Sequence, residues 1–512
     1  MISEPQIDPT FADLPFRRMA EAALSRARDF HVSHADFRFE RIRHQSIRIR
    51  DGRLQSASDG EDLGFAVRVV LDGAWGFASG VVLTPESAVQ VTETAIRTAQ
   101  VSAAMTARPV QLAPEPVHDD VAWVSDYDLD PLSVPLAEKV DLLSEWSHRL
   151  CEAPGVAHSS VVLRQVVENK FYTDLAGTTT TQQRVRVEPE VEAYGTDEKT
   201  GVFDSMRTLA PPAGRGWEYL ADGHYDWDAE LAQLPDLLAE KLAAPSVEPG
   251  DYDLVVHPSN LWLTIHESVG HATELDRALG YEANYAGTSF ATLDQLGTLQ
   301  YGSPVMHVTG DRTVAHGLAT IGYDDEGVGA QSWDLIKDGV LVGYQLDRAM
   351  AAEYGARLND GRSNGCAYAD SPGHIPIQRM ANVSLQPSGD QNSPGPDTDE
   401  LIGGVERGLY VVGDKSWSID MQRYNFQFTG QRFYRIENGR LAGQVRDAAY
   451  QATTTEFWNS MEAVGGPQTW ILGGAFNCGK AQPGQVASVS HGCPTSLFRG
   501  VRILNTTAEA GH

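Results

Sequence analysis

"TIHESVGHATELD", residues 264–276, is the stretch on which the reading turns, because it holds His266, Glu267 and His271. Zinc proteases commonly carry H-E-x-x-H, with the two histidines on one helical face and the glutamate as base. Here one more residue separates the histidines. An α-helix turns by about 100° per residue, so positions four apart differ by about 40° and positions five apart by about 140°. On a regular helix the two imidazoles would diverge. They can converge if the helix carries a π-turn, where the bonding step lengthens to i→i+5. Gly270, just before His271, weakens the helix there and leaves side-chain room. The alternative is two structural histidines flanking a solvated carboxylate.

A catalytic zinc takes three protein ligands and keeps one position open. Candidates for the third are Glu274, His257, His307, His316, His374, Cys366, Cys478, His491 and Cys493. Glu274 is close in sequence to His271. Cys478 lies in "WILGGAFNCGKAQPGQ" (470–485), among glycines that let the backbone turn a side chain inward. Thiolate is a good zinc ligand, although a small buried cysteine is the plain alternative. The same stretch mimics a phosphate loop, Gly474-x4-Gly479-Lys480. Ala481 replaces the hydroxyl such a loop needs, and Pro483-Gly484 stand where its helix should begin, which argues against ATP. A cysteine nucleophile, Cys478 or Cys493 paired with His491 or another histidine, is a further alternative.

Upstream, "PFRRMAEAALSRARDF" (15–30) has helical periodicity, and residues 35–80 alternate apolar and polar. Asp51-Gly52, Asp59-Gly60 and Asp72-Gly73 punctuate that run as hairpin signals. A helix is expected over 85–104. Helix and strands then recur over 135–153 and 158–195, as in a diverged internal repeat. A helix near 229–244 leads to the boundary at "SVEPGDYDLVVHPS" (246–259). Beyond the opening stretch the chain is rich in glycine and β-formers, and "LQPSGDQNSPGPDTDE" (385–400) reads as a mobile acidic loop. The expected fold class is α+β. An N-terminal mixed α/β domain with antiparallel strands spans 1–245, and a C-terminal β-rich domain carrying the metal-site helix spans 246–512.

The formal net charge of −29 over 512 residues repels nucleic acid and anionic membrane. The four cysteines are too few and scattered for a disulfide framework. The polar N-terminus lacks the pattern of a secretory signal, and no apolar run is long enough to span a bilayer. The expectation is a cytoplasmic protein with no nucleic-acid or membrane partner.

Together these segments resemble the TldD/PmbA family of metallopeptidases. The resemblance is carried by "HESVGHATELD" (266–276), "YDDEGVGAQSWDLIKDGVLVGYQLDR" (323–348), "SNGCAYADSPGHIPIQRMANVSLQPSG" (363–389) and "GGAFNCGKAQPGQ" (473–485). The stretch "IRDGRLQSASDGEDLGFAVRVVLDGAWGFAS" (49–79) also looks like the family's opening sheet. The resemblance implies Zn2+ held by His266, His271 and Cys478, with Glu267 as general base. It implies paired subunits, either a heterodimer with a TldE/PmbA-type chain or a homodimer. Cys366 and the extended 385–400 loop depart from the family's better-known members where substrate recognition could change.

The expected function is zinc-dependent hydrolysis of amide bonds in small or unfolded peptides. The alternatives are a biosynthetic amide or C–N hydrolase on the same scaffold and a non-catalytic partner subunit. The β-rich domain would suit an extended peptide. Asp324, Asp325, Glu326, Arg379 and Asn382 are the candidate substrate-binding residues.

Overall fold

In the computed structural model, which describes residues 6–389, 393–482 and 484–508, two of the expected hairpin turns form. Asp51-Gly52 and Asp72-Gly73 each place both residues at positive φ (49° and 72°, 51° and 75°), as a tight two-residue hairpin requires. They join strands β1 (His34–Arg50), β2 (Arg53–Leu71) and β3 (Ala74–Gly80). Asp59-Gly60 is not a turn. It lies inside β2 opposite Gln45 and His44, and a Cβ on Gly60 would stand 2.4 Å from the His44 ring. That glycine makes room for an imidazole.

Strands β4 (Val121–Val124), β5 (His158–Asp174), β6 (Thr179–Thr196) and β7 (Phe203–Arg207) complete the sheet, in the order β3-β2-β1-β5-β6-β4 with β7 also on β6. Helix followed by long hairpin occurs twice. Phe16–Asp29 precedes β1–β2, Leu136–Cys151 precedes β5–β6, and β1 and β5 meet antiparallel at the centre. Helices also form at Pro85–Ala103 and Trp227–Ala243.

Period-two alternation gives this sheet two different faces. In β1, Phe37 and Phe39 join Phe16, Met19, Phe65 and Phe171 in an apolar cluster beneath the helices. Arg38 and Glu40 point the other way and are just as buried, as are Arg68, Lys170, Arg184 and Arg186. The second half of the chain covers that charged face.

In that half, β8 (Gly250–Val256), β9 (Arg407–Ile419), β10 (Asn425–Glu437), β11 (Ala448–Thr453) and β14 (Ser496–Asn505) pair in the order β9-β8-β14-β11-β10. Because β9 also pairs with β10, the five strands close on themselves. Only β8 and β9 run parallel among these pairs. Leu254, Val256, Val411, Phe428, Tyr450 and Phe498 belong to the large core of this half. A separate ribbon, β12 (Ile471–Lys480) with β13 (Gln485–Cys493), stands beside it. The fold class is α+β.

The segment expected to be a mobile loop over 385–400 carries regular structure at both ends. Leu385 ends a strand, and Asp397 and Glu400 form a capping box that starts the helix Thr398–Gly403. Residues 390–392 lie outside the described residues. Among the described residues, no helix is long and apolar enough to cross a membrane.

Candidate metal centre

The helix that leaves β8 begins with His257 as N-cap and Pro258 in its first turn. It runs as α-helix to Ile265, becomes a π-turn over His266–Gly270, and tightens to a 3-10 turn at His271–Thr273. The N–H of His271 bonds the carbonyl of His266. This i→i+5 step cancels the divergence that five-residue spacing would cause on a regular helix. The two imidazole centroids end 4.7 Å apart. A Cβ on Gly270 would stand 2.5 Å from Met380 Sδ, so the glycine also admits close packing.

The third member comes from the ribbon. Between Ala475 and Cys478 the β12–β13 register slips by one residue. Such a bulge re-aims the side chains that follow it. Cys478 and Lys480 both turn inward, while Asn477 and Gly479 are exposed. Ring nitrogens of His266 and His271 and Sγ of Cys478 lie within 4.8 Å of one another, all buried. Cys478 Sγ is 3.6 Å from His271 Nε2.

Hydrogen bonds orient both rings. His491 Nδ1 lies 2.9 Å from the Val383 carbonyl, to which it can only donate, so its Nε2 is an acceptor. His266 Nδ1, 2.8 Å from that Nε2, is therefore the donor, and its own Nε2 keeps a lone pair. His271 Nδ1 donates to Glu274 Oε2 at 2.8 Å, which likewise leaves Nε2 as the acceptor atom. Lys480 Nζ reaches Glu274 Oε1 at 3.1 Å and an Asp276 oxygen at 2.8 Å. Burial favours a neutral Glu274, but Lys480 first, then His271 and Arg277, hold its carboxyl well below the ordinary range.

Burial lowers the pKa of His266 and of His271, favouring the neutral ring that a metal requires. Burial alone would raise the Cys478 thiol. His271 first, then Arg379, bring the thiol below its usual value. Two imidazoles with inward lone pairs, a thiol facing them and carboxylate support behind one histidine match the donor set of a zinc site.

Glu267 follows His266 on the π-turn, and its Oε2 is ion-paired with Arg423 Nη1. A cavity of about 270 Å³ opens nearby, lined in part by Trp262, Trp417, Leu209, Phe476 and Asn477. Trp262 lies one helical turn before His266, their ring centroids 6.4 Å apart.

The remaining third-ligand candidates go elsewhere. His257 is the helix cap, and His307 and His374 pair with Asp334 and Asp370. His316 contacts the Gly214 carbonyl, and burial raises Cys366 to about 11. Burial also raises the Cys493 thiol, whose Sγ faces the Pro258 carbonyl. Glu274 and His491 stand behind the imidazoles of His271 and His266. Lys480 is fully buried among carboxylates on a strand, so the phosphate-loop resemblance has no structural counterpart.

The five candidate substrate residues are all buried, and each is engaged within the protein. Asp324 accepts the N–H groups of Glu326, Val328 and Ala367. Asp325 pairs with Lys170 at 2.7 Å and Glu326 with Arg68 at 2.9 Å, across the charged face of the first sheet. Arg379 binds the carbonyls of Cys478 and Gln485, pinning both ends of the ribbon turn. Asn382 Oδ1 accepts from Ala319 and Ser490, and its amide donates to Asp311 and Thr320.

Comparison with known proteins agrees with this architecture. A metalloprotease of Methanothermobacter thermautotrophicus is 28% identical over 476 residues, covering 93% of this chain and 96% of its own. A protein of Saccharolobus solfataricus named zinc metalloprotease TldD homolog is 23% identical, covering 94% and 98%. The solved structure of TldE from Thermococcus kodakarensis shares the fold, with a TM-score of 0.67 at 16% identity, covering 95% of this chain and 99% of that one. The family models for PmbA/TldA metallopeptidase domain 1 and for the C-terminal domain match residues 35–99 and 249–505. With half the chain inside one of those models and its helix bearing the converging histidines, the chain belongs to the PmbA/TldD metallopeptidase family.

Proposed function

We propose that the chain is a zinc-dependent peptidase that hydrolyses amide bonds of small or unfolded peptides. The observation that carries this reading is the convergence of His266 Nε2, His271 Nε2 and Cys478 Sγ, with each histidine's other nitrogen already committed. The name of the Saccharolobus solfataricus relative supports zinc over other metals. Zinc held by these three residues supplies a water made acidic and a Lewis acid for the amide carbonyl.

The chain's own residues do the rest. Glu267 takes the proton from the attacking water and returns it to the leaving amine as the C–N bond breaks. Glu274 and His491 keep the two imidazoles turned inward. The cavity beside Trp262 receives peptide, with Trp262 and Phe476 as apolar walls. The likeness to a TldE structure supports pairing with a TldE-type subunit, and copurification from the native cells distinguishes that from a homodimer.

The test is metal analysis joined to cleavage of an unfolded polypeptide. The purified protein should hold about one zinc per chain. His266→Ala and Cys478→Ala should lose it. Glu267→Gln should keep the metal and lose cleavage, and chelator should abolish cleavage by the intact protein. A metal-free intact protein, or chelator-resistant cleavage, would overturn the reading.

A further inference from the structure

Arg423 has a φ of 63°, a left-handed conformation that residues bearing a Cβ rarely adopt. It sits in the turn between β9 and β10, and that turn is braced from outside. The carbonyl of Met421 accepts the N–H of Thr288 at 2.7 Å, and the carbonyl of Gln422 accepts that of Phe290 at 2.9 Å. Thr454 donates its hydroxyl to the Arg423 carbonyl and its N–H to the Tyr424 carbonyl, both at 2.7 Å. The Asp420 carboxylate gathers the N–H groups of Gln422, Tyr424 and Asn425. Even Gly287 takes part, because a Cβ there would stand 1.9 Å from the Met421 carbonyl oxygen.

This bracing delivers one guanidinium to one carboxylate. Arg423 and Glu267 side chains are 14% and 7% exposed, and Nη1 meets Oε2. Among the described residues Nε is buried without a partner, and the recorded hydrogen bond of the Glu267 carboxylate is the one from Arg423. The turn that carries Arg423 is thus held by two other segments, at residues 288–290 and at Thr454. The arrangement fixes which oxygen of Glu267 is occupied.

We propose that Arg423 is a positioning residue for the catalytic base. It ties Oε2 of Glu267 and so presents Oε1 to the attacking water. This rests on the peptidase reading above. In the step itself, Oε1 accepts a proton as the water O–H bond breaks and the water oxygen bonds the carbonyl carbon. The same proton passes to the amine nitrogen as the C–N bond breaks. Arg423 keeps its protons and its charge throughout.

The test uses the zinc-loaded full chain with Arg423→Gln, Arg423→Lys, Glu267→Gln and the double variant Arg423→Gln/Glu267→Gln. Two quantities are read: steady-state cleavage of an unfolded polypeptide, and affinity for a peptide hydroxamate, a chelator whose O–H proton is taken up by a neighbouring carboxylate base. Arg423→Gln should lower kcat on the order of 10²-fold, the scale of a misplaced catalytic group. Its KM should stay within about twofold, since ground-state binding is untouched. Zinc affinity should be unchanged, and Arg423→Lys should recover most of kcat.

Hydroxamate affinity should fall about tenfold in Arg423→Gln but not fall further when that change is added to Glu267→Gln. An equal fall in both backgrounds would show that Arg423 acts directly on ligand or fold and would overturn the assignment. So would an unchanged kcat in Arg423→Gln, or a lysine variant that folds but is no better than glutamine. If the wild-type chain cleaves nothing, the peptidase reading fails by itself, while the hydroxamate cycle still reads the coupling of the two residues.

Discussion

His266 Nδ1 and His491 Nε2 lie 2.8 Å apart, and the proton between them belongs to His266, because His491 spends its own on the Val383 carbonyl. The orientation of one candidate ligand is thus set from strand β13. Replacing His491 by phenylalanine keeps the ring volume and removes the acceptor. Metal affinity, measured by competition with a chromophoric chelator, should weaken about 10–100-fold. Glutamine, which can accept and donate in one side chain, should recover part of the loss.

Cys478 offers a spectroscopic check that needs no substrate. Chelator-stripped protein reloaded with cobalt should show a thiolate-to-metal charge-transfer band in the near ultraviolet. Cys478→Ser should lose the band, and Cys493→Ser should keep it, because Cys493 faces the Pro258 carbonyl.

Lys480 is ion-paired with both Glu274 and Asp276, and it is 1% exposed. Lys480→Met leaves two buried carboxylates with a lost partner. The expected cost is about 3–5 kcal/mol, read as a lower denaturant midpoint. A variant of wild-type stability would show that these carboxylates find other compensation.

Acid should loosen the charged face of the first sheet. Burial tends to raise the Asp36 carboxyl, but Arg68 first and His34 second bring it down to about 2. A depressed carboxyl contributes stability above its unfolded pKa near 3.8 and loses it as pH falls through about 2. The contribution is about 2 kcal/mol. Melting temperature should fall as pH drops through that window, and Asp36→Asn should flatten the dependence.

Local geometry was the legible part of the sequence. The five-residue histidine spacing and Gly270 together specify a π-turn, because no regular helix brings those rings to one side. Asp51-Gly52 and Asp72-Gly73 were legible because alternation changes strand at both. Asp59-Gly60 carries the same signal but answers to His44 across the ladder, a partner that only register reveals. Cys478 is 207 positions from His271, and a bulge decides its direction, so spacing alone left it among nine candidates. Only the family resemblance singled it out.

The acidic residues 324–326 show the limit from the other side. Asp325 and Glu326 look like a surface cluster until β1, β2 and β5 bring Arg38, Arg68 and Lys170 against them. "DFRFE" (36–40) gave no warning, since its alternation puts charge where a half-exposed sheet would meet water. Nothing local marks Arg423, whose importance comes from a turn held by residues 288, 290 and 454.

The charged face of the first sheet also limits how such proteins can be recombined. Lys170 meets Asp325, Arg68 meets Glu326, and Arg38 donates to the His374 carbonyl across the seam. A chimera joining this N-terminal half to a relative's C-terminal half inherits one side of each pair. It must match them position by position or bury orphaned charge. The seam acts as a compatibility code, so the halves should diverge together while the rim of the cavity stays free to change.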